Sequence, residues 1–189
     1  MKKLRKLIPN AVVNLGRHLP EAIFANFKYG FPAQKIKVIG VTGTDGKTTT
    51  TNMIYQILSS VGRKVSMIST INAQIGGKSY DTGFHVTSPK ATDIQRFIKE
   101  AVKAGDEFMV LEVTSHALDQ FRTWGINFEV GVITNITHEH LDYHKTFESY
   151  LNAKAKLIQG SKVAVLPADD PNFAKLTEKA LGKVISFGL

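Results

Sequence analysis

Lys35-Ile-Lys-Val-Ile-Gly-Val41 runs through Thr42 into Gly43-Thr-Asp-Gly-Lys-Thr-Thr49. The first piece is a short apolar run rich in β-branched residues and reads as a buried strand. The second is a Gly/Thr loop opening a helix from about Lys47 to Val61, in which Met53, Ile54, Ile57, Leu58 and Val61 recur at helical spacing. Strand, glycine loop and helix in that order make a phosphate cradle. The glycines let backbone N–H groups face inward and approach a phosphate closely, and the helix N-terminus adds the positive end of its dipole. Gly43, Thr44, Asp45, Gly46, Lys47, Thr48 and Thr49 are therefore the expected nucleotide-binding residues. Lys47 would reach the outer phosphates, and the Thr48 hydroxyl would bind Mg²⁺. The stretch departs from the strict phosphate-loop pattern, which wants glycine where this chain has Val41. A Gly/Thr-rich turn with an incidental lysine is the competing reading, and the strand-loop-helix context argues against it.

Outward from this stretch the chain alternates strands and helices. Strands are expected at Lys64–Thr70, Glu107–Val113, Val130–Thr134, Lys162–Leu166 and Lys183–Phe187. Helices are expected at Ala91–Ala104, Thr146–Gln159 and Pro171–Leu181, and Gly76-Gly77 centres a small hairpin between Ala73 and Tyr80. Short continuous apolar strands alternating with helices predict an α/β fold, a mostly parallel sheet with helices on both faces. In such sheets ligands bind at the carboxyl ends of the strands. Residues 1–34 read as a helical, basic N-terminal extension broken at Pro9, Pro20 and Pro32, and residues 35–189 as the nucleotide-binding domain.

Two further strand ends carry chemistry. One gives Leu111-Glu-Val-Thr-Ser-His-Ala-Leu118, where Glu112 could hold Mg²⁺ opposite Thr48. The other gives Thr134-Asn-Ile-Thr-His-Glu-His-Leu-Asp-Tyr-His144, with three histidines and two carboxylates. Its spacing is not that of a zincin, and adjacent residues point in different directions, so one or two of them at most would be ligands. The next helix contains Tyr150-Leu-Asn-Ala-Lys-Ala-Lys156. Lys154 and Lys156 are two apart and cannot share a helix face. The residues alone leave open which of them points at the nucleotide and which at water.

Bulk properties set outer bounds. The chain has 189 residues, 24 Lys plus Arg against 16 Asp plus Glu, and a net charge of +8, which suits an anionic partner. Cysteine is absent, which excludes disulfides and thiolate metal sites. No run is long and apolar enough to span a bilayer, and the basic start from Met1 to Lys6 lacks the features of a secretory signal. A helix packed on the domain is favoured there over a membrane-surface helix. No reader motif or aromatic-interleaved basic stripe points to nucleic acid.

In order along the chain, the loop Gly43–Thr49, Glu112-Val-Thr-Ser-His-Ala-Leu118, Asn135-Ile-Thr-His-Glu-His-Leu-Asp-Tyr-His144 and Tyr150-Leu-Asn-Ala-Lys154 resemble the motifs of Mur ligases. The resemblance covers Lys35 to Leu189 and is nearest to the branch that makes the tripeptide of the peptidoglycan stem. It implies a cytoplasmic ATP-dependent ligase that adds an amino acid to a UDP-N-acetylmuramoyl-peptide through an acyl phosphate. Lys47 would bind the ATP phosphates, and Thr48 and Glu112 would hold one Mg²⁺. His140 would hold a second, and Lys154 would be carried as a carbamate. Thr87, Ser88, Ser115 and Arg122 fall where the family contacts the muramoyl-peptide, and Asn135 where it has an active-site amide.

The sequence also departs from the family. Only 34 residues precede the first strand, where the family has a UDP-binding domain, and the chain ends at Leu189, before the family's C-terminal domain. Asp45 stands where the family often has Asn, and Val86-Thr-Ser-Pro89 replaces the usual Thr-Thr-Pro. A folylpolyglutamate synthase-like ligase and a non-catalytic or truncated nucleotide-binding module are the alternatives.

Overall fold

The computed structural model describes residues 9–81, 89–137, 139 and 141–188. At the start, helix α1 (Asn10–Val13), a π-helical turn (Asn14–His18) and α2 (Leu19–Tyr29) follow one another without a break. The expected interruption at Pro20 does not occur. Proline cannot donate to the carbonyl four residues back, and its ring crowds that carbonyl. The wide turn just ahead of it, in which the Leu19 N–H donates to the Asn14 carbonyl five residues back, relieves that conflict. The helix stops at Gly30, in the left-handed conformation. A short 3₁₀ turn (Pro32–Lys35) leads to the first strand.

Eight strands form one sheet: β1 (Lys37–Thr42), β2 (Val65–Ile68), β3 (Asn72–Ile75), β4 (Lys78–Asp81), β5 (Phe108–Glu112), β6 (Phe128–Ile133), β7 (Ser161–Pro167) and β8 (Lys183–Phe187). Their spatial order is β4-β3-β2-β5-β1-β6-β7-β8. Neighbouring strands from β2 to β8 are parallel, and β3 and β4 form the expected hairpin, adding an antiparallel edge. The connection leaving β1 runs one way along the sheet and that leaving β6 runs the other. A crevice therefore opens where the carboxyl ends of β1 and β6 part.

Helices cover both faces, as the alternation predicts. On one, α3 (Lys47–Ser60) sets Ile54, Tyr55 and Leu58 against Ile39, Val41, Met67, Val110 and Val132. On the other, α4 (Ala91–Ala104) buries Ile94, Phe97 and Ile98 against Val38, Ile68, Met109 and Leu111. Beside it α7 (Phe147–Gln159) and α8 (Phe173–Lys179) pack Leu151, Ile158 and Leu176 on Ile133, Ala164 and Leu166. Gly40 permits the close approach of α7, because a Cβ there would stand 2.6 Å from Leu157 and 2.8 Å from Phe128. Two short helices that hydrophobic periodicity does not reveal, α5 (Ser115–Asp119) and α6 (Leu141–His144), fill the loops after β5 and β6. Four or five residues are too few to show a period.

The N-terminal helices dock on this body. Ala22 and Ala25 are fully buried against Ala91 and Trp124. The buried Asn26 amide donates to the Ala22 carbonyl at 2.9 Å and the Trp124 carbonyl at 2.8 Å. Among the described residues no helix is long and apolar enough to cross a membrane.

Candidate active site

Register brings the strand-end residues together. Val41 of β1 pairs with Glu112 of β5, and Thr42 with Ile133 of β6, so the loops after all three strands leave the sheet side by side. The phosphate loop spans Gly43 to Gly46, and α3 begins at Lys47 with Gly46 at φ +75°. Gly43 is pressed against the neighbouring strand end, where a Cβ would lie 1.8 Å from the Thr134 hydroxyl. Side chains from the segment just after β6 and from α7 hold the loop's shape. The Asn135 carboxamide oxygen accepts from the backbone N–H of Thr44 at 3.0 Å and of Asp45 at 2.9 Å. The Thr134 hydroxyl donates to the Asp45 carbonyl at 2.6 Å. The buried Thr44 hydroxyl accepts from the Thr137 N–H at 2.9 Å and lies 3.1 Å from the Tyr150 hydroxyl. Lys47 folds over the loop and donates to the Thr44 carbonyl at 2.6 Å. Thr49 is exposed.

Glu112 is buried at the end of β5. Its carboxylate accepts from the Thr48 hydroxyl at 3.0 Å, the Thr70 hydroxyl at 2.7 Å and the Thr70 N–H at 2.8 Å. The structure brings Thr48 and Glu112 into hydrogen-bond contact, with Thr70 as a third member that sequence reasoning missed. Thr70 lies just past β2, and its signal was that position, a hydroxyl at a strand's carboxyl end. A hydroxyl, a carboxylate and the loop between them are hard oxygen donors, which suits Mg²⁺. Among the described residues no three His, Asp or Glu side chains gather as a metal cluster.

The structure separates the two lysines that spacing alone could not rank. Lys154 is 1% exposed, and its ammonium donates to the Gly43 carbonyl at the base of the phosphate loop. Burial, then the Lys47 ammonium, pushes its pKa down to about 7, while Glu139 and Asp45 pull the other way. Lys156 instead pairs with Asp119 at 2.9 Å on the far side of the helix. Tyr150, one turn before Lys154, has its hydroxyl pushed up to about 12, chiefly by burial.

The histidine-rich stretch does not converge on one point among the described residues. His144 turns inward and is buried, its Nε2 lying 3.0 Å from the Ser115 hydroxyl and its ring against those of His116, Tyr143 and Tyr150. Ser115 itself opens α5, whose N-terminus is capped by the Thr114 side chain. Tyr143 reaches Asp119 at 3.1 Å. Arg122 lies beyond α5, where Gln120 Oε1 accepts from its Nε at 3.0 Å and its Nη2 at 2.6 Å. Thr87, Ser88 and His140 lie outside the described residues.

Comparison with known proteins bears on the same residues. The model of the Mur ligase middle domain matches residues 41–189. The UDP-N-acetylmuramoyl-L-alanyl-D-glutamate--2,6-diaminopimelate ligase of Clostridium botulinum is 40% identical over 168 residues, 89% of this chain and 34% of its own length. A ligase of the same name from Clostridium acetobutylicum is 40% identical over 190 residues, 99% of this chain and 39% of its own. A solved structure of a ligase of that name superposes with a TM-score of 0.72 at 32% identity, over 82% of this chain and 32% of that one. The E. coli FolC structure with DHPP and ADP superposes at 0.71 with 19% identity, over 88% of this chain and 46% of that one, a likeness of fold. The chain spans about a third of the length of the curated relatives it matches. On the matched domain and these identities, the chain belongs to the Mur ligase family.

Proposed function

We propose that this domain carries the nucleotide-activating half of a ligase that extends a UDP-N-acetylmuramoyl-peptide by one amino acid. The reaction would activate the peptide carboxylate by ATP as an acyl phosphate, which the incoming amine then displaces. The observation that carries this reading is the pairing of Thr48 with the buried Glu112 beside a phosphate loop that Asn135 holds open. Relatives named for addition of diaminopimelate to UDP-N-acetylmuramoyl-L-alanyl-D-glutamate support the substrate class.

Each residue has a task that its chemistry fits. With the Thr44 and Asp45 N–H groups held by Asn135, the remaining N–H groups of Gly43–Thr49 would cradle the phosphates, and Lys47 would exchange its bond to the Thr44 carbonyl for the outer phosphates. Thr48 and Glu112 would hold one Mg²⁺ and His140 a second, the ions supplying the positive charge that lets a carboxylate approach a phosphoryl group. Lys154 as a carbamate would give an anion in place of a cation; burial keeps its amine neutral enough to react, and the Lys47 ammonium beside it favours the anion. Ser115, oriented by His144, would contact the muramoyl-peptide together with Arg122, Thr87 and Ser88. Positioning and charge neutralisation would account for most of the rate.

The test is phosphate release from Mg-ATP by the purified chain, with and without UDP-N-acetylmuramoyl-dipeptide, and with Lys47→Ala as control. Release that requires the muramoyl-peptide and disappears in the variant is expected. Mg-ATP binding without any response to the muramoyl-peptide would remove the substrate assignment and leave a nucleotide-binding module.

A further inference from the structure

The π-helical turn Asn14–His18 sits inside an otherwise continuous helical run. Such turns are rare and concentrate at functional sites, because the extra residue costs helix stability and re-aims the side chains around it. Here it does two things. It buries Asn14, whose amide donates to the Asp119 carboxylate at 2.8 Å and the Asp119 carbonyl at 3.1 Å. It also places Arg17 and His18 on the wall of a cavity of about 110 Å³ between the N-terminal helices and the domain.

Lys90, Ala91, Gln120 and Arg122 line the same cavity. Three permanent cations and a histidine thus face the space, against the single carboxylate of Glu21. Gln120 fixes the plane of the Arg122 guanidinium by accepting from two of its nitrogens. A third nitrogen, Nη1, donates to the Pro89 carbonyl at 3.5 Å. Glu21 stabilises the charged form of Arg122, opposing the burial that disfavours it. The side chains of Arg17 and Lys90 make no hydrogen bond or ion pair with any described residue. Cations that converge on one cavity repel one another, and an oxyanion between them offsets that repulsion. Guanidinium groups suit carboxylate and phosphate oxygens in particular, because their N–H donors match the spacing of paired oxygens.

We propose that Arg17 and His18, with Lys90 and Arg122, form a binding site for a carboxylate or phosphate oxyanion of the acceptor substrate. The N-terminal helices are thereby part of the substrate site. This rests on the muramoyl-peptide reading for the identity of the acceptor, while the cationic cavity itself stands apart from it.

The test follows the guanidinium Nε signals of Arg17 and Arg122 by NMR in the full chain. The probes are UDP-N-acetylmuramoyl-dipeptide, L-alanyl-D-glutamate, UDP and inorganic phosphate. The muramoyl-dipeptide is expected to move both signals. Movement by the free dipeptide assigns the oxyanion to a peptide carboxylate, and movement by UDP to the diphosphate. Arg17→Glu, an exposed position whose substitution spares the core, is expected to weaken muramoyl-dipeptide binding by about tenfold or more, with Mg-ATP affinity unchanged. Muramoyl-dipeptide binding with the Arg17 signal unmoved, or with full affinity in Arg17→Glu, overturns the proposal and leaves the proposed function standing. Movement of Arg17 by dipeptide or UDP, with no binding of the intact muramoyl-dipeptide, keeps the oxyanion site and removes the muramoyl-peptide reading. A response to inorganic phosphate alone marks an adventitious ion only and overturns the proposal, as does silence with all four probes.

Discussion

The hydroxyl of Thr48 lies 3.1 and 3.0 Å from the two carboxylate oxygens of Glu112, joining the first turn of α3 to the end of β5. Thr70 donates to the same carboxylate through both its N–H and its hydroxyl. Glu112→Gln would turn an NH₂ group towards donors that need an acceptor. Loss of about 1–3 kcal/mol in stability is expected, with the Mg²⁺ dependence of ATP binding abolished. Thermal unfolding and ATP titration at varied Mg²⁺ check this, and an unchanged Mg²⁺ dependence would take Glu112 out of the metal site.

Asn135 separates loop shape from loop charge. Its carboxamide oxygen accepts from the N–H groups of Thr44 and Asp45. Asn135→Asp keeps an acceptor in place but sets a negative charge beside the phosphates. Near-native stability with ATP binding weakened by about tenfold or more is expected. Asn135→Ala leaves both N–H groups without that acceptor, and about 1–3 kcal/mol of stability should be lost. Equal ATP affinity in wild type and Asn135→Asp would contradict the placement of the phosphates at this loop.

Lys154 provides a pH signature. Its amine is neutral above about pH 7, and only the neutral amine bonds to CO₂. A ¹³C-bicarbonate NMR experiment should show a carbamate signal that grows as pH rises through about 7 and is missing in Lys154→Met. For stability the folded pKa lies below the unfolded one, so the unfolded chain binds more protons between about 7 and the ordinary lysine value of 10.5. Wild-type stability then rises with pH across that window. The stability of Lys154→Met relative to wild type should fall over the same range, as read by denaturant titration; a constant difference would mean that folding does not lower the pKa of this amine.

Gly43 has no room for a side chain. Gly43→Ala would drive a Cβ to 1.8 Å from the Thr134 hydroxyl oxygen. Destabilisation by about 2 kcal/mol or more is expected, as for other overpacked sites, with ATP binding lost. Adding Thr134→Ala should recover part of that stability, because the hydroxyl is the closest obstacle. A double variant no more stable than Gly43→Ala would place the strain in the loop backbone.

Asp119 ties the N-terminal helices down in an acid-sensitive way. Burial raises its pKa, but the Lys156 hydrogen bond and charge, the Tyr143 hydroxyl and His144 outweigh it and hold the carboxyl below its usual value. The stability it contributes is therefore fully present above about pH 3.8 and lost as pH falls through the lower folded value. Trp124 packs beside Ala22 and Ala25, so its fluorescence reports the docking of these helices. An acid transition in that signal below pH 4, absent from Asp119→Asn, is the expected result.

Much of this protein was legible in its sequence because the information was local. A buried parallel strand announces itself as a continuous apolar run, and α3, α4 and α7 announce themselves by the spacing of residues such as Ile94, Phe97 and Ile98. A glycine loop between such a strand and such a helix is equally visible, in Gly43, Gly46 and Lys47. Other features depended on residues distant in the chain. Lys154 and Lys156 look alike in sequence, and only the packing of α7 against the phosphate loop buries one and leaves the other at Asp119. Thr70 became a partner of Glu112 because β2 and β5 are neighbours in the sheet. The helix through Pro20 persisted because a wider turn formed just ahead of it, a relaxation invisible to a rule about single residues. Sequence alone thus determined the order of the strands and main helices and which polar side chains stand at each strand end. Tertiary structure decided which of those groups face one another, because desolvation and hydrogen-bond geometry depend on neighbours that only the folded chain supplies.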